Sequence, residues 1–151
     1  MNDQTLALVK LRAEELLAFF GIEGPVKITE ADGTVEVTVD TASGGRLIGH
    51  RGETLRALQY VLNLIVRRQA DGPVFVSLDI AGYKQAQIER LAAKAKEAAD
   101  QVIESGKEQY LRPMTAAERR IIHMTLSEFP EVVTESEGEG QNRRVVIRPA
   151  K

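Results

Sequence analysis

Hydrophobic and polar positions in the first third of the chain repeat first with the period of a helix and then with that of a strand. Apolar side chains recur every three or four positions over residues 5–20, which predicts an amphipathic helix that ends at Gly21. Residues 26–29 and 35–39 then alternate strictly around Asp32 and Gly33, a strong short-range signal for a hairpin. The chain is therefore expected to begin with a helix and two antiparallel strands.

A second helical period covers residues 53–69, after a strand break at 41–45 and one short helical turn at 46–48. Residues 74–80 have the length and β-branched content of a third strand. We expect one side of the helix at 53–69 to pack into the core and another to meet solvent or a ligand. The packed side comprises Leu55, Leu58, Leu62 and Ile65, and the polar stripe comprises Arg56, Tyr60, Asn63 and Arg67.

The second half of the chain predicts a long helix at about residues 83–105, ended by Gly106. A capping box from Thr115 to Glu118 begins another helix, which is predicted to end near Phe129. The buried face of the long helix is predicted to carry Ile88, Leu91, Ala95, Ala98 and Val102. The remaining predicted elements are extended: a short piece at 109–112, and strands at 131–134 and 143–148 around an acidic loop at 135–142.

This order predicts an α+β protein of two small modules, residues 1–81 and 82–151, joined by the long helix. With 43% hydrophobic and 28% charged residues, it has the composition of an ordinary globular chain. Cysteine is absent, which excludes disulfides, thiolate metal sites and a cysteine nucleophile. No stretch is apolar enough for a signal peptide or a membrane span, so we expect a cytoplasmic protein without membrane insertion.

Positive charge is concentrated in one window, residues 46–68, although the net charge of the chain is -2. Gly49-His50-Arg51-Gly52 forms a tight turn between two helical segments of this window, and its backbone N–H groups can bind an anion at the start of the second helix. A lone Gly-x-x-Gly is weak evidence. The other copy, residues 21–24, is acidic and precedes a proline, so it is interpreted as a helix stop. The basic residues of the window are Arg46, Arg51, Arg56, Arg67 and Arg68, against the single carboxylate of Glu53.

Residues 5–80 resemble a KH domain of the prokaryotic, type II topology, with a three-stranded sheet and helices. Residues 46–55 match the glycine-loop signature of that family, in which the loop clamps the backbone of single-stranded RNA. The resemblance implies that the two glycines admit phosphates, that His50 and Arg51 touch the sugar-phosphate chain, and that apolar residues form a floor beneath the bases. The implied floor is Leu47, Ile48 and Leu55, of which Leu55 fits an ordinary core position at least as well. The implied RNA contacts are Arg46, Ile48, Gly49, His50, Arg51, Gly52 and Arg56.

Residues 82–151 resemble the R-three-H domain, which is named after an Arg-xxx-His signature and binds single-stranded nucleic acid. The signature pair is Arg119 and His123, four positions apart and hence on one face of the capped helix. The resemblance adds Arg120 as a phosphate contact. It also implies basic neighbours at Arg112, Arg143 and Arg144. The competing interpretation makes His123 a structural residue on a half-buried helix.

Together the two modules resemble the C-terminal part of the Jag family, also called KhpB or EloR, a group of bacterial RNA-binding proteins. The sequence at 136–140, followed by that at 143–147, is also characteristic of the family. The resemblance implies single-stranded RNA as the partner, with single-stranded DNA as a second candidate, and no cofactor or small-molecule substrate. Family members carry an additional N-terminal domain and a charged linker, and no part of this sequence resembles them. The resemblance therefore does not extend to functions that depend on that domain and linker.

An alternative function is a protein-interaction scaffold. In that case the KH module pairs with a small single-KH protein, or with a second copy, in the regulation of the cell envelope or of cell elongation. Catalysis is not expected, because the only histidines, His50 and His123, lie in different modules and no serine has a nucleophile motif. The loop also lacks the Gly-Lys-Ser/Thr of a nucleotide-binding P-loop.

Overall fold

The computed structural model describes all residues, 1–151, and separates into two compact units, Met1–Lys84 and Gln85–Lys151. Each unit combines helices with one small three-stranded sheet, which confirms the predicted α+β class.

The first unit follows the predicted order of elements. A 3-10 turn at His50–Gly52 separates its second and third helices. The elements are α1 (Asp3–Phe19), β1 (Val26–Ala31), β2 (Thr34–Val39), α2 (Gly45–Ile48), α3 (Glu53–Gln69) and β3 (Phe75–Ile80).

The three strands of the first unit form a sheet in the order β1-β2-β3, with β1 antiparallel and β3 parallel to β2. Alternate residues of β2 and β3 point to one side of the sheet and are buried with apolar residues of α1 and α3. The buried side of α3 ends at Val66 rather than at the predicted Ile65. The largest fully buried side chains of this core are Leu17, Leu62, Leu78, Ile80, Val9, Val35, Val37, Val39 and Val66.

Polar side chains of α3 form hydrogen bonds with backbone groups of β3, which is one edge strand of the sheet. Asn63 Nδ2 donates to the carbonyl oxygen of Val76 at 2.7 Å, and the amide of Val76 donates to Asn63 Oδ1 at 2.8 Å. Gln59 Oε1 accepts from the amide of Leu78 at 3.0 Å. Such contacts close an edge that would otherwise be open to pairing with another strand. The prediction that Asn63 belongs to a solvent-facing stripe is therefore wrong: only 7% of the residue is exposed.

The second unit packs two helices with a sheet of order β4-β6-β5, in which both pairs are antiparallel. A 3-10 turn at Gly140–Asn142 precedes its last strand. Its elements are α4 (Tyr83–Ser105, whose first two residues belong to the first unit), β4 (Gln109–Tyr110), α5 (Ala116–Leu126), β5 (Val132–Glu137) and β6 (Arg144–Pro149). Its core consists of Leu91, Ala95, Ala98, Ala99, Val102, Ile122, Leu126, Val132, Val145 and Ile147.

Three predicted features of the second unit differ from the structure. Ile88, predicted to be buried, is 42% exposed, and the core contributed by α4 begins at Leu91. Helix α5 ends at Leu126, before the predicted end near residue 129. Strand β5 continues to Glu137, because pairing with Arg144 of β6 keeps the charged residues at its end extended.

Candidate nucleic-acid interface

The glycine loop, residues 49–52, has a shape that requires glycine at both ends. Gly49 has φ +70° and Gly52 has φ +76°, values that residues with a Cβ rarely adopt. A Cβ at Gly49 would lie 2.1 Å from Thr54 Oγ1, and one at Gly52 would lie 2.8 Å from Cε1 of Tyr83. Gly52 is buried, so the space left by its missing side chain is filled by Tyr83. It shapes the loop from inside.

His50 and Arg51 form the exposed tip of the loop. Neither side chain makes a hydrogen bond or an ion pair within the protein. Their backbone amides are also not used by the turn, whose hydrogen bonds are donated by Gly52 to Gly49 and by Glu53 to His50. Unused amides and a permanent cation immediately before a helix provide the chemistry that binds a phosphate.

Two of the five arginines in the basic window bond to the backbone of their own unit. Arg56 Nη1 donates to the carbonyl oxygen of Arg51 at 3.1 Å, and Arg67 Nε donates to that of Val74 at 3.3 Å. Arg56 therefore acts on the loop itself, since Arg51 stands inside it. The arginines of the window without a partner in the protein are Arg46, Arg51 and Arg68.

The apolar residues around the loop divide between core and surface. Leu47 is 3% exposed and Leu55 is 4% exposed, so both belong to the core of the first unit. Ile48 is half-buried and packs against that core from its margin. Of the three floor residues, only Ile48 keeps appreciable surface for contact with a base.

Three residues beside the loop were not predicted from the sequence. Thr54 and Tyr83 fill the space at the two glycines, as described above. Lys84 follows Tyr83, and its Nζ donates to Ser77 Oγ and, at 3.5 Å, to Gln59 Oε1. Tyr83 and Lys84 are far from the loop in the sequence, so the spacing of residues in the glycine motif does not indicate them. Only Thr54, close to the second glycine, could have been found from the motif.

Lys84 is half-buried among both polar and charged groups. Burial lowers the pKa of Lys84, and the carboxylates of Asp79 and Glu36 partly offset this effect. Its backbone amide also donates to Asp79 Oδ1 at 3.2 Å, which fixes the start of α4 to the end of β3.

In the second unit, His123 is held between two hydroxyl groups of β5. Its Nδ1 lies 2.7 Å from Thr134 Oγ1, and its Nε2 lies 2.9 Å from Ser136 Oγ. Burial lowers the pKa of His123, and the positive charge of Arg119 lowers it further. Both ring nitrogens are therefore engaged inside the protein, which favours the structural interpretation of this histidine.

Arg119 and Arg120 are the two arginines of α5 that the sequence predicts as RNA contacts, and neither has an ion-pair partner. Arg119 is half-buried, and its Nε is the only buried side-chain nitrogen or oxygen of the chain that lacks a hydrogen bond. Such orphan donors are rare in folded proteins. Arg120 is exposed.

The other nominated arginines of the second unit have partners within it. Arg112 Nη2 lies 3.4 Å from Oε1 of Glu118. Burial alone would raise the pKa of Glu118, but hydrogen bonds from Thr115 and the charge of Arg112 outweigh it and lower the pKa. Arg143 Nη1 donates to the carbonyl oxygen of Gly138 at 2.9 Å, and Arg144 lies 4.9 Å above the ring centre of Tyr110. These arginines hold loops and strands in place, and their guanidinium groups keep donors for a ligand.

Two classes of site find no support in the side chains. No group of three or more histidine, aspartate or glutamate residues is arranged to hold a metal ion. No helix of the chain combines the length and apolar character needed to cross a lipid bilayer.

Comparison with known proteins assigns both units to families. Residues 13–78 match the family model for the KH domain of KhpA and KhpB, and residues 89–149 match that for the R-three-H domain. The chain is 34% identical to the RNA-binding protein KhpB of Bacillus subtilis over 140 residues, which cover 91% of this chain and 67% of that protein. The chain belongs to the KhpB family.

Other KhpB proteins are similarly related. The chain is 37% identical over 122 residues to the RNA-binding protein KhpB of Clostridium symbiosum, covering 81% of this chain and 55% of that protein. It is 32% identical over 145 residues to KhpB of Lactiplantibacillus plantarum, covering 96% of this chain and 42% of that protein. The chain thus spans roughly half the length of these KhpB relatives, and the match includes both domains.

Proposed function

We propose that the chain binds single-stranded RNA without catalysing a reaction. The observation that carries this proposal is the tip of the glycine loop, where His50 and Arg51 are exposed and unpaired beside unused backbone amides. The relatives named as RNA-binding proteins support RNA as the ligand. In this account His50, Arg51 and Arg46 contact phosphates, Ile48 contacts a base, and the glycines and Arg56 maintain the loop.

Charge around the loop supports binding to the phosphate backbone. The window of residues 46–68 contains five arginines and one carboxylate, whereas the whole chain has a net charge of -2. Binding that neutralises phosphates releases counterions, so the affinity is expected to fall as salt rises. The positive charge at the loop itself comes from Arg46, Arg51 and Arg56, while Arg67 and Arg68 lie in the last turn of α3.

The second unit contributes a further contact through Arg119 and Arg120. The terminal guanidinium nitrogens of Arg119, which reach the surface although its Nε is buried, and the exposed guanidinium of Arg120 offer donors to a phosphate, while His123 fixes α5 against β5. Arg112, Arg143 and Arg144 add positive charge with the donors that their own contacts leave unused. Two weak contacts on one strand combine through their effective concentration.

Fluorescence anisotropy of labelled oligomers tests the proposal. Single-stranded RNA, single-stranded DNA and duplex RNA of equal length are titrated with the protein at low and at physiological salt. We expect salt-sensitive binding to the single strands and weaker binding to the duplex, because KH loops engage unpaired strands. Binding that is absent for every single strand, or strongest for the duplex, would contradict it.

A second candidate function is association with another KH protein or a second copy, and an apolar stripe on α3 favours it. Tyr60, Val61 and Leu64 are 66%, 41% and 44% exposed, and their spacing places them on one side of the helix. Adjacent exposed apolar residues often mark interaction surfaces.

Light scattering of purified protein, and capture of a partner that survives nuclease treatment, test this association. Val61→Glu is expected to abolish it. Leu11→Glu serves as the control, because Leu11 on α1 is also exposed, at 48%. A monomeric wild-type chain that captures no KH protein would exclude the second function.

A further inference from the structure

The side chain of Gln59 lies one helical step from the glycine loop and has a fixed orientation. Gln59 follows Arg56 by three positions, so the two are neighbours on the surface of α3. Arg56 in turn bonds to the loop carbonyl of Arg51. Gln59 is about 9 Å along the helix axis from the start of α3. At this distance the base of a nucleotide bound at the loop can reach the side chain of Gln59.

The hydrogen bonds of Gln59 determine which end of its amide faces outward. A backbone N–H can only donate, so the atom that meets the amide of Leu78 is the oxygen. Lys84 Nζ donates to the same oxygen. The amide nitrogen, Nε2, therefore points away from β3 and donates to no group of the protein. It also reaches the surface, because Arg119 Nε is the only buried side-chain polar atom without a partner.

Lys84 adds a second unused donor beside Gln59. Its ammonium group carries three donors, of which one goes to Ser77 Oγ and one to Gln59 Oε1. The carboxylates of Asp79 and Glu36 lie close enough to attract this charge. Two nearby carboxylates disfavour a phosphate at this position, whereas an uncharged base is not repelled.

We propose that Gln59 and Lys84 form a subsite that recognises a base with an outward carbonyl oxygen, uracil in the simplest case. This inference rests on the proposed function, because the glycine loop must first hold the strand. Both free groups are hydrogen-bond donors, so they match the O4 acceptor of uracil. Cytosine carries an amino donor, N4, at the same position, and neither protein group can accept a hydrogen bond from it. The subsite thus provides base preference, while the loop provides binding to the backbone.

Labelled oligouridine and oligocytidine of equal length test the subsite, because their bases differ at the carbonyl or amino group in question. By anisotropy, we expect the wild-type chain to bind oligouridine about fivefold or more tightly than oligocytidine, as one well-placed base contact allows. Gln59→Glu keeps an oxygen for the Leu78 amide but replaces the donor by an acceptor. It is expected to lose or invert the preference.

Gln69→Glu is the matched control, because it adds the same charge to α3 at the end away from the loop. It is expected to weaken both strands equally and to keep the uracil preference. Lys84→Met removes the second donor and keeps the apolar stem, so it is expected to reduce the uracil preference. This variant tests the subsite even if Gln59→Glu fails to fold, and amide exchange at Leu78 would show whether Gln59→Glu is folded.

Equal affinity of the wild-type chain for the two strands would overturn the subsite and leave the proposed function standing. An unchanged preference in both Gln59→Glu and Lys84→Met would overturn it as well. Failure to bind either strand would instead overturn the proposed function, and the subsite with it.

Discussion

The guanidinium of Arg56 donates a hydrogen bond of 3.1 Å to the carbonyl oxygen of Arg51. Arg51 has φ 53° and ψ 30°, a left-handed conformation that costs a residue with a side chain about 1–2 kcal/mol. The bond from α3 therefore helps to hold the exposed tip of the glycine loop in a conformation that it would not otherwise prefer. Arg56, expected from the sequence only as an RNA contact, thus also positions the glycine loop.

Replacing Arg56 by alanine is expected to weaken RNA binding. The loop loses a charge-assisted hydrogen bond worth about 1–2 kcal/mol, so we expect a loss of affinity of about five- to thirtyfold. Arg68→Ala is the control, since Arg68 is on the same helix, carries the same charge and makes no bond to the loop. Equal losses in the two variants, measured by anisotropy, would show that Arg56 contributes only charge.

Gly52→Ala is expected to disrupt the loop. The added Cβ has to occupy a left-handed conformation and to displace the ring of Tyr83 from 2.8 Å. We expect binding to be lost and the first unit to be destabilised by roughly 1–3 kcal/mol, which thermal unfolding would measure. Gly45→Ala is the matched control, because a Cβ there meets nothing within 4 Å and the residue has no positive φ. A Gly52→Ala variant that binds RNA normally would contradict this account of the loop.

The sequence predicts the glycine loop well because the information for it is local. Two glycines, two basic residues and flanking helical periods stand within one short stretch, and the structure forms the expected turn there. Asn63 shows the limit of the same reasoning. Periodicity gives it a polar position, but only the sheet order shows that β3 is an edge strand whose amide and carbonyl groups need partners.

Asn63→Ala is expected to destabilise the first unit. The change leaves the buried amide and carbonyl groups of Val76 without partners, at a cost of about 2–4 kcal/mol. Hydrogen exchange is the direct measurement, and protection of the Val76 amide should fall while that of strand β6 is retained. Arg68→Ala, which changes an exposed residue of the same helix without a partner in the protein, should leave both unchanged. Undiminished protection of the Val76 amide in Asn63→Ala would contradict the edge contact.

His123 illustrates a second limit of the sequence. Its hydroxyl partners, Thr134 and Ser136, are on another element, and they share one face of β5 because they are two positions apart on the strand. The Arg-xxx-His spacing therefore identifies Arg119 and His123 as a pair without showing that the histidine is engaged inside the fold.

The stability of the second unit is expected to fall in mild acid because of His123. Its folded-state pKa is lowered from 6.5 by burial and by Arg119. A lowered folded pKa means that the unfolded chain takes up the proton more readily. The contribution of neutral His123 is thus fully present above pH 6.5 and is lost as pH falls through the folded pKa. NMR titration of the imidazole measures this, and a pKa at or above 6.5 in the folded chain would contradict it.

The central claim, that the tip of the glycine loop holds the RNA backbone, is tested most directly by a variant that carries both His50→Asp and Arg51→Asp. These side chains are exposed and have no partner in the protein, so the fold is expected to be unchanged by circular dichroism. The control carries Lys10→Asp and Lys27→Asp, two exposed residues of α1 and β1, and makes a charge change at least as large. By anisotropy with labelled single-stranded RNA, the account predicts that the loop variant loses salt-sensitive binding while the control retains most of it. Binding by a folded loop variant that equals that of the control would contradict the claim.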